Sequence, residues 1–162
     1  MIPLSYAQRR LWFLNRLQDG TALYNMPLAL RLTGRLDREA LHAALTDVVE
    51  RHESLRTVFP ERDGEPRQRI LRMDKVRLDI AERNCTEAEL AAELTAAAGH
   101  RFDLATDLPL RVELFSVAAD SHVLLLVLHH VAGDGWSLAP LARDVSVAYA
   151  ARAEGRAPGW EP

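Results

Sequence analysis

At 162 residues the chain has the length of one domain, or of one lobe of a larger one, with enough residues to bury a core. Hydrophobic residues make up 48% and charged residues 27%, and 20 Lys plus Arg against 23 Asp plus Glu leave a formal net charge of -3. This balance has no basic stripe and argues against a nucleic-acid partner. The longest apolar run, Val123 to Leu128, is too short to span a bilayer and argues against a membrane one.

In chain order, Met1-Ile2-Pro3-Leu4-Ser5 lacks the charged and apolar regions of a signal peptide, so a soluble cytoplasmic location is expected. Ser5 with Gln8 has the spacing of a capping box, and Leu11, Trp12, Leu14 and Leu17 continue a helix from Tyr6 to Leu17. Asn25 to Thr33 alternates as a strand and stops at Gly34. Asp37 is placed to cap a helix with the stripe Leu41, Ala44, Leu45, Val48 and Val49, ending near Arg51-His52-Glu53. Leu55 to Phe59 reads as extended, Pro60 to Gly64 as a turn, and Arg67 to Leu71 as a hairpin partner. Val76, Leu78 and Ile80 alternate as another strand. Cys85 is the only cysteine, cannot form an internal disulfide, and has no base beside it in a polar stretch; it fits a reducing compartment. Thr86 and Glu89 open a helix to about Ala98, and Leu110 to Val117 is a strand after Pro109. His122 reads as a turn residue, and Trp12 and Phe13 as core.

Val123 to His130 is apolar on both parities, so it reads as a strand buried on both faces. A loop, Val131 to Gly135, leads into a helix from Trp136 or Ser137 to Glu154. Strands mixed with helices predict an α/β sandwich. His129 and His130 end the buried strand, and adjacent strand residues point to opposite faces, so a two-histidine metal site is not expected. Imidazole suits proton transfer near neutral pH. Gly133 and Gly135 permit positive φ, and the following helix would aim N–H groups at the loop, useful where an oxyanion develops. No Ser or Cys nearby is set up as a nucleophile, which favours direct attack of an amine or alcohol on a bound thioester. The string alone fits equally well two histidines that merely close a core strand.

Three segments resemble the condensation domains of nonribosomal peptide synthetases. Leu4-Ser5-Tyr6-Ala7-Gln8-Arg9-Arg10-Leu11-Trp12-Phe13-Leu14 is similar to that family's first motif, and Arg51-His52-Glu53-Ser54-Leu55-Arg56-Thr57-Val58-Phe59 to its second. His129 to Ser137 is similar to its third, the active-site motif. The resemblance implies a chloramphenicol-acetyltransferase-like α/β sandwich lobe, with a mixed sheet and packed helices. It also implies amide-bond formation between a donor thioester and an acceptor amine. No cofactor would be bound directly; upstream donor and downstream acceptor carrier domains would deliver the substrates on phosphopantetheine arms. His130 is then the catalytic residue, as general base or positioning group. His129, Gly135, Trp136 and Ser137 support it, and Asp134 is structural, paired with Arg56. Trp136-Ser137 favours condensation over epimerisation, and the wording of the first motif matches the subtype joining two L-residues. The family's domain is longer, so residues 1–162 are expected to form its N-terminal lobe, with the C-terminal lobe a missing partner and the lobe alone inactive. A free-standing acyltransferase of the same superfamily and a non-catalytic docking lobe are the alternatives.

Overall fold

The computed structural model describes residues 1–20, 22–133 and 137–160. The chain runs β1 (Ile2–Pro3), α1 (Tyr6–Leu17), β2 (Asn25–Thr33), α2 (Arg38–Arg51), β3 (Thr57–Val58), β4 (Glu61–Arg62) and β5 (Glu65–Ile70). It continues through β6 (Ile80–Asn84), α3 (Glu87–Ala98), β7 (Leu110–Ala118), β8 (Ser121–His129) and α4 (Leu138–Ala153). The main sheet has the order β2-β8-β7-β6. Its β2–β8 and β8–β7 pairs are antiparallel, and β6 joins β7 in parallel through the crossover helix α3. A smaller sheet is built around β5, which pairs with β1, β3 and β4.

The double-sided apolar pattern of β8 organises the layers. Leu124, Leu126 and Leu128 pack with Leu110, Val112 and Leu114 of β7 against Leu41, Ala44, Leu45 and Val48 of α2 and Leu141, Val145 and Ala148 of α4. Val123, Leu125 and Val127 face the other way, onto Trp12 of α1, Leu90 of α3, and Phe59, Phe102, Leu104 and Phe115. Each such side chain contributes about 1.5–3 kcal/mol of burial relative to exposure. The capping boxes at Ser5/Gln8 and Thr86/Glu89 are both formed, and Asp37 accepts from the Ala40 amide. Asp47 of α2 takes a bidentate grip from Arg152 of α4, with both N···O distances 2.7 Å.

Several expectations need correction. Leu55 and Arg56 lie in a 3-10 turn, Glu53–Arg56, and only Thr57–Val58 is strand. The Thr57 hydroxyl donates to the Glu53 carbonyl at 2.8 Å and holds that turn closed. Val76 and Leu78 do not pair with a neighbour; they pack against the core ahead of β6, so their alternation reports burial without a ladder. His122 is not a turn residue: it lies inside β8 and is 4% exposed. Trp12 is core, its indole N–H donating to the Phe59 carbonyl at 3.0 Å, but Phe13 on the next position of the helix is 45% exposed. β8 ends at His129, one residue early, and His130 opens a 3-10 turn, His130–Ala132. No helix among the described residues is long and apolar enough to cross a membrane.

Candidate active site

The site grows from the end of β8. Odd-numbered residues of that strand face α1 and α3, so His129 enters that half of the core and is fully buried. Phe102 meets its ring edge-on, at 5.9 Å between centroids and 89° between planes. Nδ1 of His129 accepts the Val131 backbone N–H at 3.0 Å. An amide can only donate, so the proton of the neutral ring sits on Nε2. Burial, reinforced by the charge of His130, lowers the His129 pKa to about 4, and the ring is neutral at pH 7.

His130 behaves oppositely. Its side chain is exposed, while its backbone is held on both sides. Its N–H donates to the Tyr24 carbonyl at 2.9 Å and its C=O accepts from Gly133 at 3.3 Å. α1, which carries the first motif, packs against this turn. The expected separation of the two histidines is present in their burial, although His130 lies beyond the strand whose alternation predicted it. Among the described residues, no three His, Cys, Asp or Glu side chains are grouped as a metal site requires.

Gly133 does not adopt the positive φ anticipated for it; at φ 173° it is extended. Its need for glycine is steric instead. A Cβ there would lie 2.8 Å from Oγ and 3.2 Å from Cβ of Ser137, the residue that precedes α4. Asp134, Gly135 and Trp136 lie outside the described residues, and so does one end of the expected Arg56–Asp134 pair. Arg56 itself is mostly buried and donates to the carbonyls of Leu71 (2.7 Å) and Glu50 (3.4 Å), with Glu53 at 3.6 Å. Its Nε is buried with no acceptor among the described residues.

The second and third motifs meet on the α2/α4 side of the sheet. There a cavity of about 300 Å³ lies between His52, Ser54 and Leu55 on one side and Leu128, Ala132 and Ser137 on the other. His52 closes its rim with Nε2 at 2.7 Å from Asp144, which also has Arg51 at 3.4 Å. Sequence reading did not find Asp144, Tyr24 or Phe102. Asp144 is one acidic residue on a solvated-looking helix, and the other two act through a carbonyl and a ring edge.

A family model described as the condensation domain matches residues 1–160. The chain belongs to the condensation-domain family. It is 57% identical over 164 residues to the isonitrile lipopeptide synthase of Mycobacterium tuberculosis, covering 99% of this chain and 6% of that protein. It is 52% identical over 161 residues to a dimodular nonribosomal peptide synthase of Bacillus subtilis, covering 99% of this chain and 7% of the relative. Among solved structures, the X-domain from teicoplanin biosynthesis in complex with OxyB superposes with a TM-score of 0.91 and 41% identity, over 99% of this chain and 35% of that one. The starter condensation domain of rhizomide synthetase gives 0.88 at 24% identity, over 99% of this chain and 40% of that one, a likeness of fold. The chloramphenicol-acetyltransferase-like sandwich, with its mixed sheet and packed helices, is what the condensation family shares with this chain. The chain spans only a small part of its synthetase relatives.

Proposed function

We propose that this chain, within a larger nonribosomal peptide synthetase, supplies His130 to an amide-forming acyltransferase. The observation that carries the reading is an exposed imidazole on a doubly restrained backbone, at the point where three motif segments converge. The substrates would be a donor acyl thioester and an acceptor amine, each on the phosphopantetheine arm of a carrier domain. The amine nitrogen attacks the thioester carbonyl, the new C–N bond forms, the C–S bond breaks, and the thiolate leaves with the proton given up by nitrogen. His130 accepts the amine N–H, and a pH–rate profile separates proton removal from positioning. Asp134 is assigned to Arg56, whose buried Nε calls for an acceptor. Gly135, Trp136 and Ser137 complete the loop around them, with His129 behind. On the wording of the first motif, the finer assignment is the subtype joining two L-residues.

In the full-length synthetase, His130→Ala lowers condensation by about 10²–10⁴-fold, the span expected for losing an acid–base group, while carrier loading is unchanged. Undiminished amide formation, followed by mass spectrometry of the carrier-bound product, overturns the assignment. A second reading, a lobe that only docks another protein, draws on the X-domain relative solved in complex with OxyB. It predicts that His130→Ala is silent.

A further inference from the structure

Two buried polar atoms without a hydrogen-bond partner among the described residues stand opposite one another in the sheet. Asn25 is the direct cross-strand partner of His129 in the β2–β8 ladder. Their side chains therefore leave the same face of the sheet, with Cβ atoms about 5 Å apart. Nδ2 of Asn25 donates to the carbonyls of Ala98 (3.0 Å) and His100 (2.6 Å), at the C-terminal end of α3. Both partners are acceptors, so the orientation of the amide is fixed and Oδ1 is the atom left buried without a donor. On His129, Nδ1 is taken by the Val131 amide, so Nε2 carries the proton and is left buried without an acceptor. One unmatched acceptor and one unmatched donor thus sit on directly paired residues.

We propose that Asn25 and His129 form a positioning relay for His130. Asn25 Oδ1 accepts from His129 Nε2–H across one bridging water, and His129 Nδ1 accepts from Val131. The turn bearing His130 is thereby tied through Asn25 to the end of α3. Its second restraint, the Tyr24 carbonyl on the His130 amide, comes from the residue just before Asn25. Both restraints on the turn therefore originate at the start of β2. Neither Asn25 nor His129 touches substrate; they act through the placement of the His130 backbone. This rests on reading His130 as the catalytic residue.

The test is a double-mutant cycle in the full-length synthetase with loaded carriers. His129→Leu lowers kcat about a hundredfold, the scale of a small misplacement of a reacting group, and Asn25→Leu about tenfold. KM for the carrier substrates changes less than about threefold, because only the transition state feels the displacement. The double variant is no slower than His129→Leu alone, since either change breaks the same chain. His129→Asn, which keeps an acceptor where Nδ1 stood, is faster than His129→Leu. Hydrogen exchange across residues 129–133 quickens in His129→Leu and Asn25→Leu while α2 stays protected. The relay is overturned if the two losses multiply, if Asn25→Leu runs at the wild-type rate, or if His129→Asn is as slow as His129→Leu. Loss of α2 protection in His129→Asn also overturns it, because ring bulk and not the acceptor is then what matters. His130→Ala is the control. At full rate it removes the catalytic reading and the relay together; if it is dead and Asn25 and His129 are uncoupled, the relay alone falls.

Discussion

His129 and His130 are adjacent in sequence and opposite in environment, and that contrast gives the clearest single-residue consequences. The folded chain keeps His129 neutral down to about pH 4, whereas the unfolded chain protonates it below about 6.5. Between those values the unfolded state binds more protons, so this contribution is fully present above pH 6.5 and is lost as pH falls to about 4. The shift corresponds to on the order of 3 kcal/mol, at 1.36 kcal/mol per unit. Urea unfolding from pH 7 to 4 should show the chain losing stability more steeply than His129→Asn; parallel curves for the two proteins would exclude this origin. Gly133 offers a second consequence. Gly133→Ala places a methyl group 2.8 Å from Oγ and 3.2 Å from Cβ of Ser137, so one of the two residues must shift. Condensation falls about tenfold or more, a modest misplacement by the standard of such sites, and adding Ser137→Gly recovers part of the loss. No recovery in the double variant would show that the contact with Ser137 is not the cause.

At the scale of elements, the helices were legible because their signals are local. α1 begins at its capping box, α2 at Asp37 and α3 at Thr86, as read from spacing alone. β2 and β8 were legible from alternation and from the double-sided apolar run. What alternation could not report was hydrogen bonding: Val76 and Leu78 bury their side chains without a strand partner. Nor could composition place His122 inside a strand or turn Phe13 outward, since both depend on which neighbours cover a position. The site divides in the same way. His130, whose catalytic role is proposed, was singled out by the resemblance of its motif, whereas Asn25 is set opposite His129 only by the register. Between elements, the Arg152–Asp47 grip is the principal polar link of α4 to α2, with Asp47 almost fully buried and Arg152 about one-third exposed. Arg152→Leu strands a buried carboxylate and lowers stability by about 2 kcal/mol, below the 3–5 of a fully buried pair because solvent reaches the arginine. The double variant Asp47→Leu/Arg152→Leu recovers most of that in thermal denaturation; a further loss would mean that the pair stabilises the helices beyond satisfying its own charges.

At the scale of the whole molecule, α1 exposes several large apolar side chains. Tyr6, Phe13 and Leu17 recur at helical spacing along one side of α1 and are 90%, 45% and 80% exposed, and Leu23 nearby is 75% exposed. α1 is the helix that packs against the His130 turn, and it does so while its buried face carries Trp12 and Asn15. Exposed apolar side chains of this kind, interrupted here by the exposed Arg10, are the sort of surface that contacts another body when it is continuous. This chain covers 35% and 40% of the two solved relatives' own length. At an open site the acceptor amine competes with water for the thioester, whereas a closed site removes water and strengthens every polar contact inside. On the proposed function, the expected outcome for the 162-residue chain supplied with loaded donor and acceptor carriers is no amide, with any turnover appearing as hydrolysed donor. On the proposed function, the same residues within the full-length protein are expected to transfer the acyl group to the amine. Mass spectrometry of both carriers distinguishes the two outcomes. Amide formation by the chain alone at the full-length rate would mean that His130 and its restrained turn suffice, and that the apolar stripe on α1 serves docking rather than closure.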